Sequence, residues 1–194
     1  MANVMLSPAE MKLITDASFI LTKNSIINKV YTLFGNLSTA FKKNAVEQYL
    51  PEEVLNTNPK IYRGENYEGL PWVMLDYPRY FKNEDFFAIR TFFWWGNFFS
   101  ITLQLKGKYK LKFENLRNQF CEDDWFLCLN EDEWQHHFRE NNYKPLSLVT
   151  AEEITALPFI KLAKKIPLGE WNNAEKFFLI YFKQLVVLTS QSVK

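Results

Sequence analysis

Apolar and polar residues alternate with a period of two along residues 98–113. From position 99 the odd positions are apolar, and from Ser100 the even positions are polar and end in a row of lysines at 106, 108, 110 and 112. This period is typical of a β-strand with one face against a core. We therefore predict a strand whose solvated face carries the lysines. The alternative is a second turn at Gly107, which makes Tyr109–Phe113 a separate strand.

The segment 86–105 is mostly apolar and has the length of a membrane-spanning helix. A span would place Arg90 in the apolar layer, at a cost of about 2.5–3.5 kcal/mol near the bilayer centre. Gly96-Asn97 in its middle is instead typical of a tight turn between antiparallel strands. We therefore predict a β-hairpin and no membrane span.

The length of the hairpin turn decides which side chains share a face. A two-residue turn opposes Arg90 to Leu103 and places Arg90 on an apolar face with Phe92 and Trp94. A three-residue turn exchanges the two faces, because a slip of one residue reverses every side chain. We predict the two-residue turn.

The N-terminal part, residues 1–55, predicts an antiparallel pair of helices. Ser7 and Glu10 form a capping box with Pro8 at the first helical position. Ser25 is the predicted cap of a longer second helix, which ends before Pro51. The apolar positions of that helix recur at helical spacing: Ile27, Val30, Phe34, Leu37, Phe41, Ala45 and Tyr49.

The remaining segments contain shorter signals. Residues 56–71 are predicted to be mostly loop. The predicted strands are 72–77, closed by Pro78, and 125–129, and a short helix is predicted over 132–140. Thr150 and Glu153 form a second capping box, whose helix is kinked or restarted at Pro158. A final helix, about residues 173–189, is apolar nearly all round and therefore buried.

The order of these elements predicts an α+β fold. It contains an antiparallel sheet of four to five strands, about residues 70–130, packed with the N-terminal helical pair and C-terminal helices. The length predicts one domain, residues 1–194. Within it, residues 1–55 form the helical pair, 60–130 the sheet and 150–190 the C-terminal helices.

Composition excludes several classes of function. The formal net charge is +1, and the predicted lysine row lies opposite the aromatic side chains of its strand, so nucleic-acid binding is not expected. The chain has six glycines and no nucleotide-binding or zinc-finger motif, so we expect no cofactor. On a strand, Cys121 and Cys128 would point to opposite faces, so we expect no disulfide between them. Residues 1–17 lack the basic and apolar regions of a secretory signal, and both observations predict a cytoplasmic protein. The many Phe, Asn, Lys and Ile residues are typical of an AT-rich bacterial genome.

Arg90 is the leading candidate for a binding site. A guanidinium on an apolar sheet face needs an anion, because an unpaired buried charge is costly. The functional interpretation is an anchor for a carboxylate or phosphate among aromatic side chains; the structural alternative is an ion pair with Asp76 on a neighbouring strand. Arg79 lies in an aromatic, charged segment that is able to line a cleft.

His136 and His137 are the only histidines. On the predicted helix each follows a carboxylate by four residues, which favours surface ion pairs. Adjacent helical residues point about 100° apart, so the two are weak candidates for a shared metal. No metal site is therefore predicted.

These observations favour a binding module for a small acidic or aromatic ligand or a protein partner. Its predicted ligand-binding residues are Arg90, Asp76, Arg79, Trp94 and Phe92. An enzyme is less favoured; it would be a metal-independent hydrolase or lyase that uses Asp76, Arg90 and His136. A third alternative is a homodimer or larger homo-oligomer whose interface uses the aromatic surplus.

Overall fold

Within its described residues, the protein folds around one antiparallel sheet of seven strands, with helices before and after it. The computed structural model describes residues 4–46, 50–82, 84–114 and 124–190. The helices are α1 (Pro8–Thr15), α2 (Ala17–Val46), α3 (Glu52–Leu55), α4 (Lys108–Glu114), α5 (Ala151–Ala156) and α6 (Ala174–Ser190). The strands are β1 (Lys60–Tyr67), β2 (Leu70–Lys82), β3 (Asp85–Trp94), β4 (Phe98–Lys106), β5 (Phe126–Cys128), β6 (Tyr143–Pro145) and β7 (Ile160–Pro167).

The strand order is β1-β2-β3-β4-β7-β5-β6. The first four strands form a meander, and β7 pairs with both β4 and β5. Helices α2 and α6 cover one face of the sheet, where Phe41 stacks on Phe182 with ring centroids 3.8 Å apart. Residues 129–142, here called the covering loop, lie over the other face. Its Phe138 packs against Phe98, Phe126 and Tyr143.

The predicted α+β class is confirmed, but the sheet has seven strands rather than four or five. Residues 60–67 form β1 instead of loop, and Glu68 and Gly69, both at positive φ, turn the chain into β2. Residues 160–167 form β7 instead of helix. The sequence prediction places Pro158 at a kink within a helix. In the structure Pro158 lies between α5, which ends at Ala156, and β7, which begins at Ile160.

The hairpin is confirmed, but its turn has three residues instead of two. Trp94 pairs with Phe98, which leaves residues 95–97 as the turn, and Gly96 adopts a φ of 70°. The two faces of β4 are therefore exchanged, and Arg90 opposes Thr102 rather than Leu103. This register directs Leu103 into the core beneath the helices and leaves Arg90 on the face under the covering loop.

The predicted lysine row is wrong. Strand β4 ends at Lys106, Gly107 adopts a left-handed φ of 60°, and α4 follows. The backbone N–H of Lys108 donates to Asp85 Oδ1 over 2.9 Å. Tyr109 turns inward, is 2% exposed, and donates its hydroxyl to Glu53. A single strand face carrying all of these lysines is therefore absent from the described residues, because Lys108 and Lys110 belong to α4.

The Ser7–Glu10 capping box is confirmed, whereas the predicted start of the second helix at Ser25 is wrong. The chain bends at Asp16, and α2 then runs without interruption through Ser25 for thirty residues. The predicted core positions of this helix are buried, apart from Tyr49, which lies outside the described residues. Before Ile27 the helices form an N-terminal arm (residues 4–26) with exposed apolar side chains: Val4, Met5, Leu6, Met11, Leu13, Ile14, Phe19, Ile20 and Leu21.

Several other elements match or correct the sequence predictions. The capping box at Thr150 and the final helix are confirmed, but α6 is buried on one face only, since Ile180 is 50% exposed. The helix predicted over 132–140 is wrong, because residues 130–142 form turns. Cys128 is a buried free thiol, while Cys121 lies outside the described residues. No helix of the described ranges is both long and apolar enough to cross a membrane.

Candidate functional site

A cleft of about 500 Å³ opens at the sheet face beneath the covering loop. It is formed by residues of β1, β2, β3, the end of β4 and the loop. Its lining contains four basic and two acidic side chains together with aromatic ones. The lining residues are Lys60, Tyr62, Asp76, Arg79, Phe81, Phe86, Arg90, Lys106, Glu133 and Trp134.

Asp76 and Arg90 form the floor of this cleft. They are direct cross-strand partners on β2 and β3, so their side chains share a face. Arg90 Nε lies 3.3 Å from Asp76 Oδ1, and each residue is only 3% exposed. Tyr62 on β1 donates its hydroxyl to Asp76 Oδ2 over 2.9 Å. The structural alternative for Arg90, an ion pair with Asp76, is therefore correct, and the pair lines a cleft.

The pair is not fully satisfied by its neighbours. Arg90 Nε and Asp76 Oδ1 approach each other without the geometry of a hydrogen bond, and neither atom has another hydrogen-bond partner among the described residues. Arg79 Nε is also buried and has no hydrogen-bond partner among the described residues. Burial raises the pKa of the Asp76 carboxyl, and the Arg90 charge and the Tyr62 hydroxyl oppose that rise. Buried donors and acceptors without partners are costly, so this pair contributes less to stability than a fully hydrogen-bonded one would.

Trp134 forms one wall of the cleft from the covering loop. The Arg90 guanidinium carbon lies 4.8 Å from the centre of a Trp134 ring, within the range of a cation–π contact. Trp134 is 52% exposed. Its backbone N–H donates to Asp132 Oδ1 over 2.9 Å, a local turn that takes the place of the predicted helix.

The covering loop is attached to the sheet through polar contacts from distant strands. Lys161 on β7, which is 0% exposed, donates from Nζ to the backbone oxygens of Glu133 and Gln135. Gln104 on β4 donates to Glu133 Oε2 over 2.7 Å. The hydroxyl of Tyr67 accepts the backbone N–H groups of residues 136 and 137. These contacts replace the intrahelical hydrogen bonds that a helix would make.

Lys161 gives a testable pH dependence. Burial lowers its pKa to about 8, below the value of 10.5 expected for an exposed lysine. Between these two pH values the unfolded chain binds more protons than the folded chain, so the contribution of Lys161 to stability rises with pH, by about 1 kcal/mol per pH unit. We expect the free energy of unfolding of the wild type, measured by urea denaturation, to rise relative to that of Lys161→Met from pH 8 to pH 10. Groups far from Lys161 titrate alike in both proteins and cancel; parallel pH curves would contradict the prediction.

A second, smaller cavity of about 250 Å³ lies beside the cleft and is here called the side cavity. Trp134 lines both. The other lining residues of the side cavity are Asn66, Tyr67, Trp72, Met74, Phe92 and His136. Phe92, a predicted site residue, therefore lines the side cavity. Trp94 lies deeper, is 4% exposed, and donates its ring N–H to the Tyr67 carbonyl oxygen, so it supports the wall and does not line either space.

The two histidines have separate environments. His136 lies against Phe92, with ring centroids 5.0 Å apart, and burial near Lys161 and Arg90 lowers its pKa well below 6.5. The imidazole is therefore neutral at pH 7. His137 is buried, and burial also lowers its pKa. No group of three or more metal-ligating His, Cys, Asp or Glu side chains occurs in the ranges that the structure describes.

Sequence reasoning identified part of this site. Arg90, Asp76 and Arg79 line the cleft, and Phe92 lines the side cavity, whereas His136 lies in the side cavity rather than beside Asp76 in the cleft. Lys60 and Tyr62 were missed because their strand was predicted to be loop. Trp134 and Lys161 were missed because both lie in segments predicted to be helical. The sequence signal for a strand there was the alternation of Ile160 and Leu162 with Lys161 between them, which has a period of two.

Comparison with known proteins adds no relative. No family model, no curated protein and no solved structure matches this chain.

Proposed function

We propose that this protein is a binding module for a small organic acid, whose carboxylate binds in the cleft between Arg79 and Arg90. The observation that carries the proposal is the cleft that Arg79 and Arg90 line together, with four basic and two acidic side chains around it. A guanidinium offers N–H donors in a planar fork that matches a carboxylate. Lys60 and Lys106 at the same cleft add positive charge.

The acidic residues of the cleft are consistent with this proposal. Asp76 neutralises part of the Arg90 charge, and Glu133 accepts a hydrogen bond from Gln104. Two more basic than acidic side chains line the space, so the net field in the cleft attracts an anion. Arg79 is the more available of the two arginines, since Arg90 is already paired.

The test uses a panel of aliphatic and aromatic carboxylates with two to ten carbons, each beside its primary amide. We expect at least one carboxylate to raise the melting temperature, because a ligand that binds only the folded chain stabilises it, by about 2.7 kcal/mol at one hundred times its Kd. The amides lack the charge and are expected to have little effect. Arg79→Met is expected to weaken the binding of that carboxylate about 10- to 100-fold, as measured by calorimetry.

Arg63→Met is the matched control. Arg63 lies on β1 but on the opposite face of the sheet, where it is exposed near the ring of Tyr31. This variant should bind as the wild type does. The proposal fails if no carboxylate stabilises the protein, if the amides stabilise it equally, or if Arg79→Met and Arg63→Met behave alike.

The two other hypotheses have less support. A hydrolase that uses Asp76, Arg90 and His136 stays a prediction; it requires the histidine of the side cavity to act together with the Asp76 carboxyl, which is already held by Tyr62 and Arg90. It predicts ester or amide hydrolysis that Asp76→Asn abolishes. Self-association also stays a prediction. The exposed apolar residues of the N-terminal arm favour it more than the internal aromatic clusters do, and light scattering of the full chain tests it.

A further inference from the structure

The side cavity is bounded by rings set at different angles around Phe92. Trp72 is tilted by 42° to Phe92 with centroids 6.2 Å apart, and Tyr67 stands nearly perpendicular at 6.1 Å. His136 lies 5.0 Å from Phe92 at 35°. Faces and edges of aromatic rings are therefore both available to a ligand in this space, which is the arrangement that aromatic pairs prefer.

The side cavity differs from the cleft in the charge of its lining residues. The residues that line the side cavity carry no formal charge at neutral pH. His136 is the lining residue that ordinarily titrates near pH 7, and burial lowers its pKa so that the imidazole is neutral. Its volume of about 250 Å³ is below the roughly 300–1,000 Å³ of pockets for drug-sized ligands. The space therefore suits an uncharged group of the size of one planar ring system.

Trp134 connects the two spaces. One side of the residue meets the Arg90 guanidinium at 4.8 Å, and the same residue lines the side cavity. A ligand that occupies both spaces would pass Trp134, which lines each of them.

We infer that the side cavity binds the aromatic ring of the same ligand whose carboxylate binds in the cleft, so that the protein selects arylalkyl carboxylates over aliphatic ones. The inference rests on the proposed function and adds the chemical class of the ligand. The ring lies among Trp134, Phe92 and Trp72, and the linker between ring and carboxylate passes Trp134. Trp134 and Trp72 are the specificity-determining residues.

The test compares phenylacetate with cyclohexylacetate by calorimetry on the full chain. The two probes share the carboxylate, the linker and a six-membered ring, and differ in planarity and in the aromatic face. We expect phenylacetate to bind the wild type about 2- to 10-fold more tightly, which is the range expected for one aromatic pair. Trp134→Ala should bring the ratio of the two affinities close to one; because Trp134 is half exposed, this variant is expected to fold.

Gly64→Ala is a second variant that leaves the charges of the cleft in place. A Cβ at residue 64 would lie 2.5 Å from Nε1 of Trp72, so this ring has to shift and change the cavity wall. The ratio of affinities should fall in this variant as well. Gly35→Ala is the matched control, because a Cβ at residue 35 meets nothing within 4 Å, and its ratio should equal that of the wild type.

The outcomes separate this inference from the proposed function. If both probes bind the wild type equally, or if the Trp134 and Gly64 variants keep the wild-type ratio, the ring site is wrong while carboxylate binding through Arg79 still stands. If neither probe nor any other carboxylate binds, the proposed function and the inference are both wrong.

Discussion

Arg90→Met is expected to lower the free energy of unfolding by about 3–5 kcal/mol. The substitution removes the ion-pair partner of the Asp76 carboxylate, which stays buried at 3% exposure with a hydrogen bond from Tyr62. An uncompensated buried charge costs about this much, whereas a buried ion pair itself contributes little net stability. The raised pKa of Asp76 agrees, since it means that burial outweighs the attraction of the Arg90 charge.

The double variant Asp76→Leu/Arg90→Met is therefore expected to recover most of this loss and to unfold within about 1–2 kcal/mol of the wild type. Urea denaturation of the wild type, both single variants and the double variant gives the coupling energy between the two residues. A double variant as unstable as the sum of the single changes would contradict the assignment. Because it is expected to fold, it also separates the structural role of Arg90 from its role in ligand binding: carboxylates should no longer stabilise it as they stabilise the wild type.

Phe41→Ala is expected to destabilise the protein by about 3–5 kcal/mol. Phe41 is 0% exposed and stacks on Phe182 of α6 at 3.8 Å with planes 4° apart. This contact joins the two helices that cover the sheet, so truncation removes both buried apolar area and an aromatic pair. The measurement is the free energy of unfolding by urea denaturation.

Phe19→Ala is the control on the same helix. Phe19 is 49% exposed in the N-terminal arm, and its truncation should change the free energy of unfolding by no more than about 0.5 kcal/mol. Equal losses for the two variants would mean that the arm packs against the body of the protein in solution.

The local elements were largely predictable from the sequence. The capping boxes at Ser7 and Thr150 depend on residues three apart, and the core face of α2 depends on helical spacing, so neighbours along the chain determine both. The hairpin register was not predictable in the same way. Gly96-Asn97 suits turns of two and of three residues, and the choice depends on which face of β4 meets α2 and α6.

The candidate site was predictable only in its inner part. Arg90 and Asp76 belong to strands that the period-two pattern and the turn residues identify. The covering loop, in contrast, owes its shape to Tyr67 and Lys161, which lie far from it along the chain. The charges within residues 132–140 have helical spacing, but the tertiary contacts of the covering loop do not support a helix. The position of Trp134 depends on these contacts, which no local sequence pattern contains.

The position of β7 in the sheet has a consequence for synthesis on the ribosome. Strand β4 precedes β7 by more than fifty residues in the chain, yet β7 is its neighbour on the side away from β3. Until Ile160–Pro167 leaves the exit tunnel, the backbone N–H and C=O groups along the outer edge of β4 have no partner strand. The nascent chain is therefore most open to aggregation while residues 107–167 are translated and leave the tunnel.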